Sequence, residues 1–166
     1  DGTVRIDPYS AFVFDRAEAS PAMALSVTFQ IDVSKLALCT PANPGASIRR
    51  GTWLADFSRS FQVVDNGGGS YTVDQAILGT PCGATSGGQV FTVDLKSVGG
   101  DGSGAITVTT VSARDCSNDP IAVLPGSPAA LAILNTPIVI LPATLPGGST
   151  GVAYSQTLTA APGAAP

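Results

Sequence analysis

The sequence predicts an all-β protein, an antiparallel β-sandwich, and three observations predict it. Short runs alternate strictly between apolar and polar residues, the period of a half-buried strand. Nineteen Gly and 13 Pro among 166 residues punctuate those runs about every ten residues, as in sandwiches. Charged residues make up only 12%, about half the ordinary share, and helix formers are scarce: one Glu, two Lys and one Met.

The elements follow in order. Thr3–Ile6 is a short alternating run that Asp7-Pro8 ends, and Ala11–Phe14 follows it. Arg16–Met23 is a polar, Ala-rich connection containing Pro21. The cleanest strand comes next: Leu25, Val27, Phe29 and Ile31 face one way, and Ser26, Thr28, Gln30 and Asp32 the other. Val33–Lys35 turns the chain into a short strand at Leu36–Cys39, and the Pro/Gly-rich stretch Thr40–Ser47 reads as a loop. Ile48–Phe57 brings Trp53, Leu54 and Phe57, three large groups suited to closing one end of a core.

Ser60–Gly79 is a hairpin. Phe61 and Val63 alternate with Gln62 and Val64. Tyr71, Val73, Gln75 and Ile77 alternate with Thr72, Asp74, Ala76 and Leu78. Asp65-Asn66-Gly67-Gly68-Gly69-Ser70 between them predicts a loop longer than two residues. Gln75 falls on the inward register, where it needs hydrogen-bond partners. Thr80–Gly88 is a loop. Phe91, Val93 and Leu95 then alternate with Thr92, Asp94 and Lys96, which places Asp94, like Asp74, on a solvated strand face. After the loop Gly99–Gly104 comes the long strand Ala105–Arg114, whose alternation slips between Val108 and Val111, the mark of a bulge. Asp115–Pro120 turns the chain, and Ile121–Leu124 and Ala129–Leu134 complete the first domain, residues 1–135. Residues 136–166 form a second segment, with Ile138–Leu141 and Ala153–Thr159 as its strands. It is too short to bury a core alone.

Function classes narrow by exclusion. Net charge is −4 and the one basic doublet is Arg49-Arg50, so nucleic acid is not an expected partner. No run has membrane-spanning length, so no membrane insertion is expected. The chain opens on Asp1 rather than Met and reads as a mature or excised segment. Low lysine and abundant Ser, Thr, Gly and Asn suit an extracellular protein. There is no histidine, the usual general base near neutral pH, so no enzyme is expected. Eleven of the 12 acids are Asp, placed mostly at turns. Asp65, Asp101, Asp115 and Asp119, with Asn66 and Asn118, are the oxygen donors Ca²⁺ takes, but no spaced calcium loop organises them, and no cofactor is assigned. Gly99–Gly104 lacks the Lys-Ser/Thr of a phosphate loop. Three cysteines, Cys39, Cys82 and Cys116, leave one disulfide and one free thiol as the simplest account in an oxidising compartment. For a ligand, Trp53, Phe57, Tyr9 and Tyr71 are the candidate contacts, an exposed indole being a stacking platform for a sugar ring. Core packing is the plainer reading of Trp53.

SVTFQIDVSKLAL, the hairpin running into AILGTPCG, GGQVFTVDLKSV and ITVTTVSARDCSNDPI together resemble the cohesin family over roughly residues 2–135. The resemblance implies a nine-stranded jelly-roll sandwich of a bacterial surface protein, some of whose relatives bind dockerins. LPATLPGGSTGVAYSQTLTA is similar to the opening of a bacterial Ig-like repeat. The jelly roll also implies the disulfide. The strands ending at Gly79 and Arg114 would flank one central strand and run the same way, so the loops holding Cys82 and Cys116 would meet, leaving Cys39 as the free thiol. Two functions follow as expectations. One is a non-enzymatic structural module of a surface protein or filament, associating with copies of itself or neighbouring modules through its C-terminal strands. The other is a binding module for a dockerin-like protein or a polysaccharide.

Overall fold

The computed structural model describes residues 21–85, 87–133 and 138–162. The expected strands at 3–6 and 11–14, Tyr9 and the boundary at 135–137 lie outside the described residues. The chain divides into two compact units, Asp1–Ile133 and Leu134–Pro166.

In the first unit the strands are β1 (Ala22–Ile31), β2 (Leu36–Leu38), β3 (Ile48–Arg50), β4 (Arg59–Gly67), β5 (Ser70–Ile77), β6 (Phe91–Val93), β7 (Leu95–Ser97), β8 (Gly102–Asp115), β9 (Pro120–Ile121) and β10 (Ala129–Ile133). All pairings are antiparallel. The larger layer has the order β10-β8-β1-β5-β4, with β9 also on β8. The alternation expected of β1 is met: Leu25, Val27, Phe29 and Ile31 are buried and the residues between them are half-buried. The slip in β8 is a bulge at Thr109. Thr28 faces Thr110 while Phe29 faces Val108, and the displaced Thr109 hydroxyl donates to the Thr28 carbonyl (3.2 Å).

The hairpin is tighter than its glycines imply. β4 runs to Gly67 and β5 begins at Ser70, so the turn is the two residues Gly68-Gly69, both at positive φ, as a type I′ turn requires. The surplus residue is taken up by a register shift between Asp65 and Gly67, where the Asp65 carboxylate accepts the Gly67 N–H (2.8 Å).

The second layer rests on one interrupted strand. β6 pairs with β3 and β7 with β2, and Asp94 lies between. Its N–H donates to Ser47 O (2.7 Å) and its carbonyl accepts the Cys39 N–H (3.0 Å). Both groups of one strand residue face the same edge, so β2 and β3 are two parts of one neighbouring strand. Residues 39–47 are an excursion spliced out at Asp94. The Thr40 N–H donates to the buried Ser47 hydroxyl (2.8 Å) at its base. Its end forms a single helical turn, α1 (Pro44–Ser47), where a loop was expected. Pro44 sits at the start of that turn, its missing N–H costing nothing there.

Asp94 corrects the sequence reading. Its parity is outward, yet it is 6% exposed and its carboxylate accepts twice from Arg49 Nη2 (2.8 Å each). Between the layers Phe29 packs on Phe91 (centroids 5.5 Å apart) and on Tyr71 (5.7 Å). Gln75 is 1% exposed among them. Its Nε2 donates to Val90 O (2.6 Å), whereas its Oε1 has no partner among the described residues.

β5 and β8 flank β1 and run the same way, and Cys82–Cys116 is a disulfide with Cα atoms 5.8 Å apart. Gly83 beside it has φ +84°, and a Cβ there would stand 2.1 Å from Pro21 Cβ. Cys39 is free and half-buried. In the second unit, β11 (Ile138–Leu141) pairs antiparallel with β12 (Thr159–Pro162). The expected strand at 153–159 is therefore displaced toward the C-terminus.

Two stability predictions follow from this packing. Cys82→Ser with Cys116→Ser opens a loop of 34 residues and is expected to cost about 3–4 kcal/mol in urea unfolding, on the chain-entropy estimate. An unchanged midpoint would contradict it. Gln75→Met removes the unpartnered oxygen and leaves Val90 O still accepting from the Gly51 N–H (2.9 Å). The variant is expected to be more stable by about 1 kcal/mol, and a lower urea midpoint would show that Oε1 is not a liability.

Candidate functional site

The broadest regular surface of the first unit is the outer face of β8-β1-β5-β4. Where the inner face takes every second residue into the core, the other residues form rows across the strands. One row is Val64–Thr72–Thr28–Thr110, the next Gln62–Asp74–Ser26–Ser112 and the third Ser60–Ala76–Ala24–Arg114. All twelve are half-buried or exposed, and only Asp74 and Arg114 carry charge. The Thr28 and Thr72 hydroxyls are 2.9 Å apart, and Thr72 also accepts from Asn66 Nδ2 (2.9 Å). Hydroxyls donate and accept, and short side chains lose little rotamer freedom when covered. Such a face suits a partner that matches its shape and its hydrogen bonds.

The sequence-based contacts fall elsewhere. Trp53 is 3% exposed and Tyr71 is 7% exposed, so neither offers a ring face to a sugar. Trp53 is held where its backbone N–H donates to Gln89 O (2.8 Å), and Tyr71 lies on the inward register of β5 with Val73 and Gln75. Phe57 is partly buried against the same core, and Tyr9 is outside the described residues. The calcium candidates divide between two ends. The hairpin tip with Asp65 lies by the start of β8, where Ile31 N–H reaches Gly69 O and Asp32 N–H reaches Ala105 O. Asp101 precedes β8 at that end. Asp115 ends β8, roughly 40 Å away at the usual rise per residue, and takes the Ser117 and Asp119 N–H groups on Oδ1 (2.9 Å each). Among the described residues no group of three or more His, Cys, Asp or Glu is placed to hold a metal ion.

A second cluster sits where β3 and β4 approach. Arg50 lies over the Phe61 ring, 5.7 Å from its centroid. Arg59, two residues before Phe61 on the same face of β4, donates through Nη1 to Trp53 O. The Arg59 pKa is held below its ordinary value, first by burial and then by the Arg50 charge, with Asp56 opposing. The doublet Arg49-Arg50 was visible in the sequence. Its division, Arg49 to Asp94 and Arg50 to Phe61, follows from strand parity, but the approach of Arg59 does not.

No protein-family model and no curated protein sequence matches the chain. Solved structures do. The third cohesin of ScaC from Acetivibrio cellulolyticus, solved in complex with the ScaB dockerin, is 17% identical with a TM-score of 0.56, over 74% of this chain and 85% of that one. The cohesin module of a Clostridium perfringens family 33 glycoside hydrolase is 12% identical with a TM-score of 0.54, over 69% and 75%. The sixth cohesin of scaffoldin B from A. cellulolyticus, in complex with a Cel5 dockerin, is 12% identical with a TM-score of 0.52, over 70% and 80%. The fold is a cohesin-like β-sandwich. Nothing found supports an Ig-like repeat in the C-terminal segment.

Burial, and secondarily the Asp65 charge, raises the Tyr71 pKa above its ordinary 10.0. Above pH 10 the unfolded chain loses this proton first, so stability is complete below that pH and falls as pH rises toward the folded-state pKa. Tyr71→Phe is expected to flatten this decline in urea titrations, and a decline of the same slope in the variant would assign it to another group.

Proposed function

We propose that this chain is a non-catalytic, protein-binding module of an extracellular bacterial surface protein, docking its partner on the outer face of β8-β1-β5-β4. The observation that carries the reading is the cohesin-like fold, shared with two cohesins that were solved with dockerins bound. The chemistry of the face agrees with it: ten of its twelve residues are uncharged and most of them are short or hydrogen-bonding, on a rigid sheet rather than in a cleft with convergent acid–base pairs. A dockerin-like protein is the proposed partner class. A polysaccharide fits less well, because the two most favourable stacking rings, Trp53 and Tyr71, are in the core. A structural, self-associating module is the second reading. It is favoured by the second unit, where Leu145, Val152, Tyr154 and Leu158 are exposed around a two-stranded sheet.

One experiment separates them. Chain 1–166 is titrated calorimetrically with a panel of purified dockerins and sized by light scattering. A monomer that binds a dockerin, and loses at least about tenfold in affinity (one factor of ten per 1.4 kcal/mol) on Ser26→Arg without loss of stability, supports docking on the outer face. Oligomers that disappear in a chain ending at Ile133, with no dockerin bound, would move the assignment to the structural reading.

A further inference from the structure

We infer that Arg50, over the Phe61 ring, and Arg59, two residues before Phe61 on β4, form a carboxylate-receiving site for an extended acidic segment of a protein partner, on the open edge between β3 and β4. The site is separate from the outer face proposed above.

The first ground is positive charge that the nearby Asp56 offsets only in part. The chain is acidic, at −4, yet two guanidinium groups converge here. Arg50 has the Phe61 ring and, among the described residues, no hydrogen-bond acceptor. Arg59 uses Nη1 on Trp53 O, leaving Nε and Nη2. Arg49 close by is already engaged by Asp94. Two guanidiniums that repel each other gain when a carboxylate enters between them, and Arg presents the planar fork that matches it. Burial first, and this repulsion second, lower the Arg59 pKa, and the Asp56 carboxylate offsets part of it.

The second ground is the backbone of β4. The Leu78 N–H donates to Ser58 O (2.6 Å), and the register Arg59↔Ile77, Ser60↔Ala76, Phe61↔Gln75 continues from it. In an antiparallel ladder bonded and non-bonded pairs alternate. Ser60 and Gln62 therefore bond β5, while the N–H and C=O of Arg59 and Phe61 face the outer edge of the sheet, where no other described strand lies. A strand edge of this kind pairs with an extended peptide. A side-chain carboxylate on that peptide would stand beside the guanidiniums. α1 also approaches β4, which confines such a peptide to a short pairing. A uronate-bearing glycan carries the same carboxylate but makes no ladder bonds, and the Phe61 face it would stack on is taken by Arg50.

The test uses chain 1–166 with a fluorescein-labelled peptide alternating Thr and Glu, its Thr/Gln counterpart, and polygalacturonate, read by anisotropy or competition at low ionic strength. Binding of the Glu peptide alone, weakened at least about tenfold by Arg50→Gln and weakened again as salt shortens the Debye length, supports the site. Arg50 is exposed, so this variant is expected to unfold at the wild-type midpoint. No binding of the Glu peptide, equal binding to Arg50→Gln, or binding of polygalacturonate alone would each overturn it. Ser26→Arg on the outer face is expected to leave the Glu-peptide affinity unchanged, so this site and the docking face can fail independently.

Discussion

A carboxylate taken out of water governs how the second layer is assembled. Asp94 is buried, and an ionised group in that position costs several kcal/mol unless its charge and lone pairs are met. Both oxygens are met by one nitrogen of Arg49. The same residue's backbone holds the two ends of the 39–47 excursion. The side chain requires Arg49 on the neighbouring strand, and the backbone requires that strand to be interrupted opposite it. β2 and β3 can be in register with β7 and β6 only if nine residues are looped out where one stands. The one-turn helix and the Thr40–Ser47 bond follow as the way to close that loop without leaving the buried Ser47 hydroxyl idle.

The larger layer was legible because its period is two and its inner face is dry. β1 could be read residue by residue, and even the bulge at Thr109 left a trace, since an extra residue shifts which threonines and valines share a parity. The disulfide was legible at one remove: it needed the order of strands, which the cohesin resemblance supplied, and then only adjacency. Other features were not legible. Alternation assigns a face but cannot say what covers it, so Asp94 was placed outward correctly and solvated wrongly. A run of three glycines permits a long loop and a tight turn alike. The turn was decided by Asp65 and Asn66, which bond Gly67 and Thr72 and so let the strands continue to the last residue.

The aromatic residues illustrate the same limit for function. Trp53 and Tyr71 were the natural contacts to nominate, because large rings contribute strongly to binding when they are exposed. The core claimed them first: a sandwich of this size has few large residues with which to fill the space between its layers, and here Phe29 packs against both Phe91 and Tyr71 within it. What remains for the surface is small and hydroxylated. The candidate docking residues are the outward half of each alternation, and the sequence does not single them out because serine and threonine carry no distinctive chemistry.

Two surfaces of opposite character result, and the physics of each fixes how it would be used. The outer face of β8-β1-β5-β4 has two charges in twelve positions, so recognition there would depend on shape, desolvation and hydrogen bonds and would vary little with salt. The edge between β3 and β4 concentrates guanidinium groups in an acidic chain, so its pull on an acidic segment would extend over about a Debye length, ~8 Å at physiological ionic strength, and would act chiefly on the rate of encounter. A partner carrying a folded surface for the first and an acidic extended segment for the second would gain from both, because the second contact is made at the effective concentration set by the linker between them. Arg50 reaches the second site from β3 in the other layer, and the two sites meet at β4, which belongs to both. Only a linker long enough to pass around that strand's edge would let one partner occupy the pair, which makes linker length, rather than either affinity alone, the property that would select such a partner.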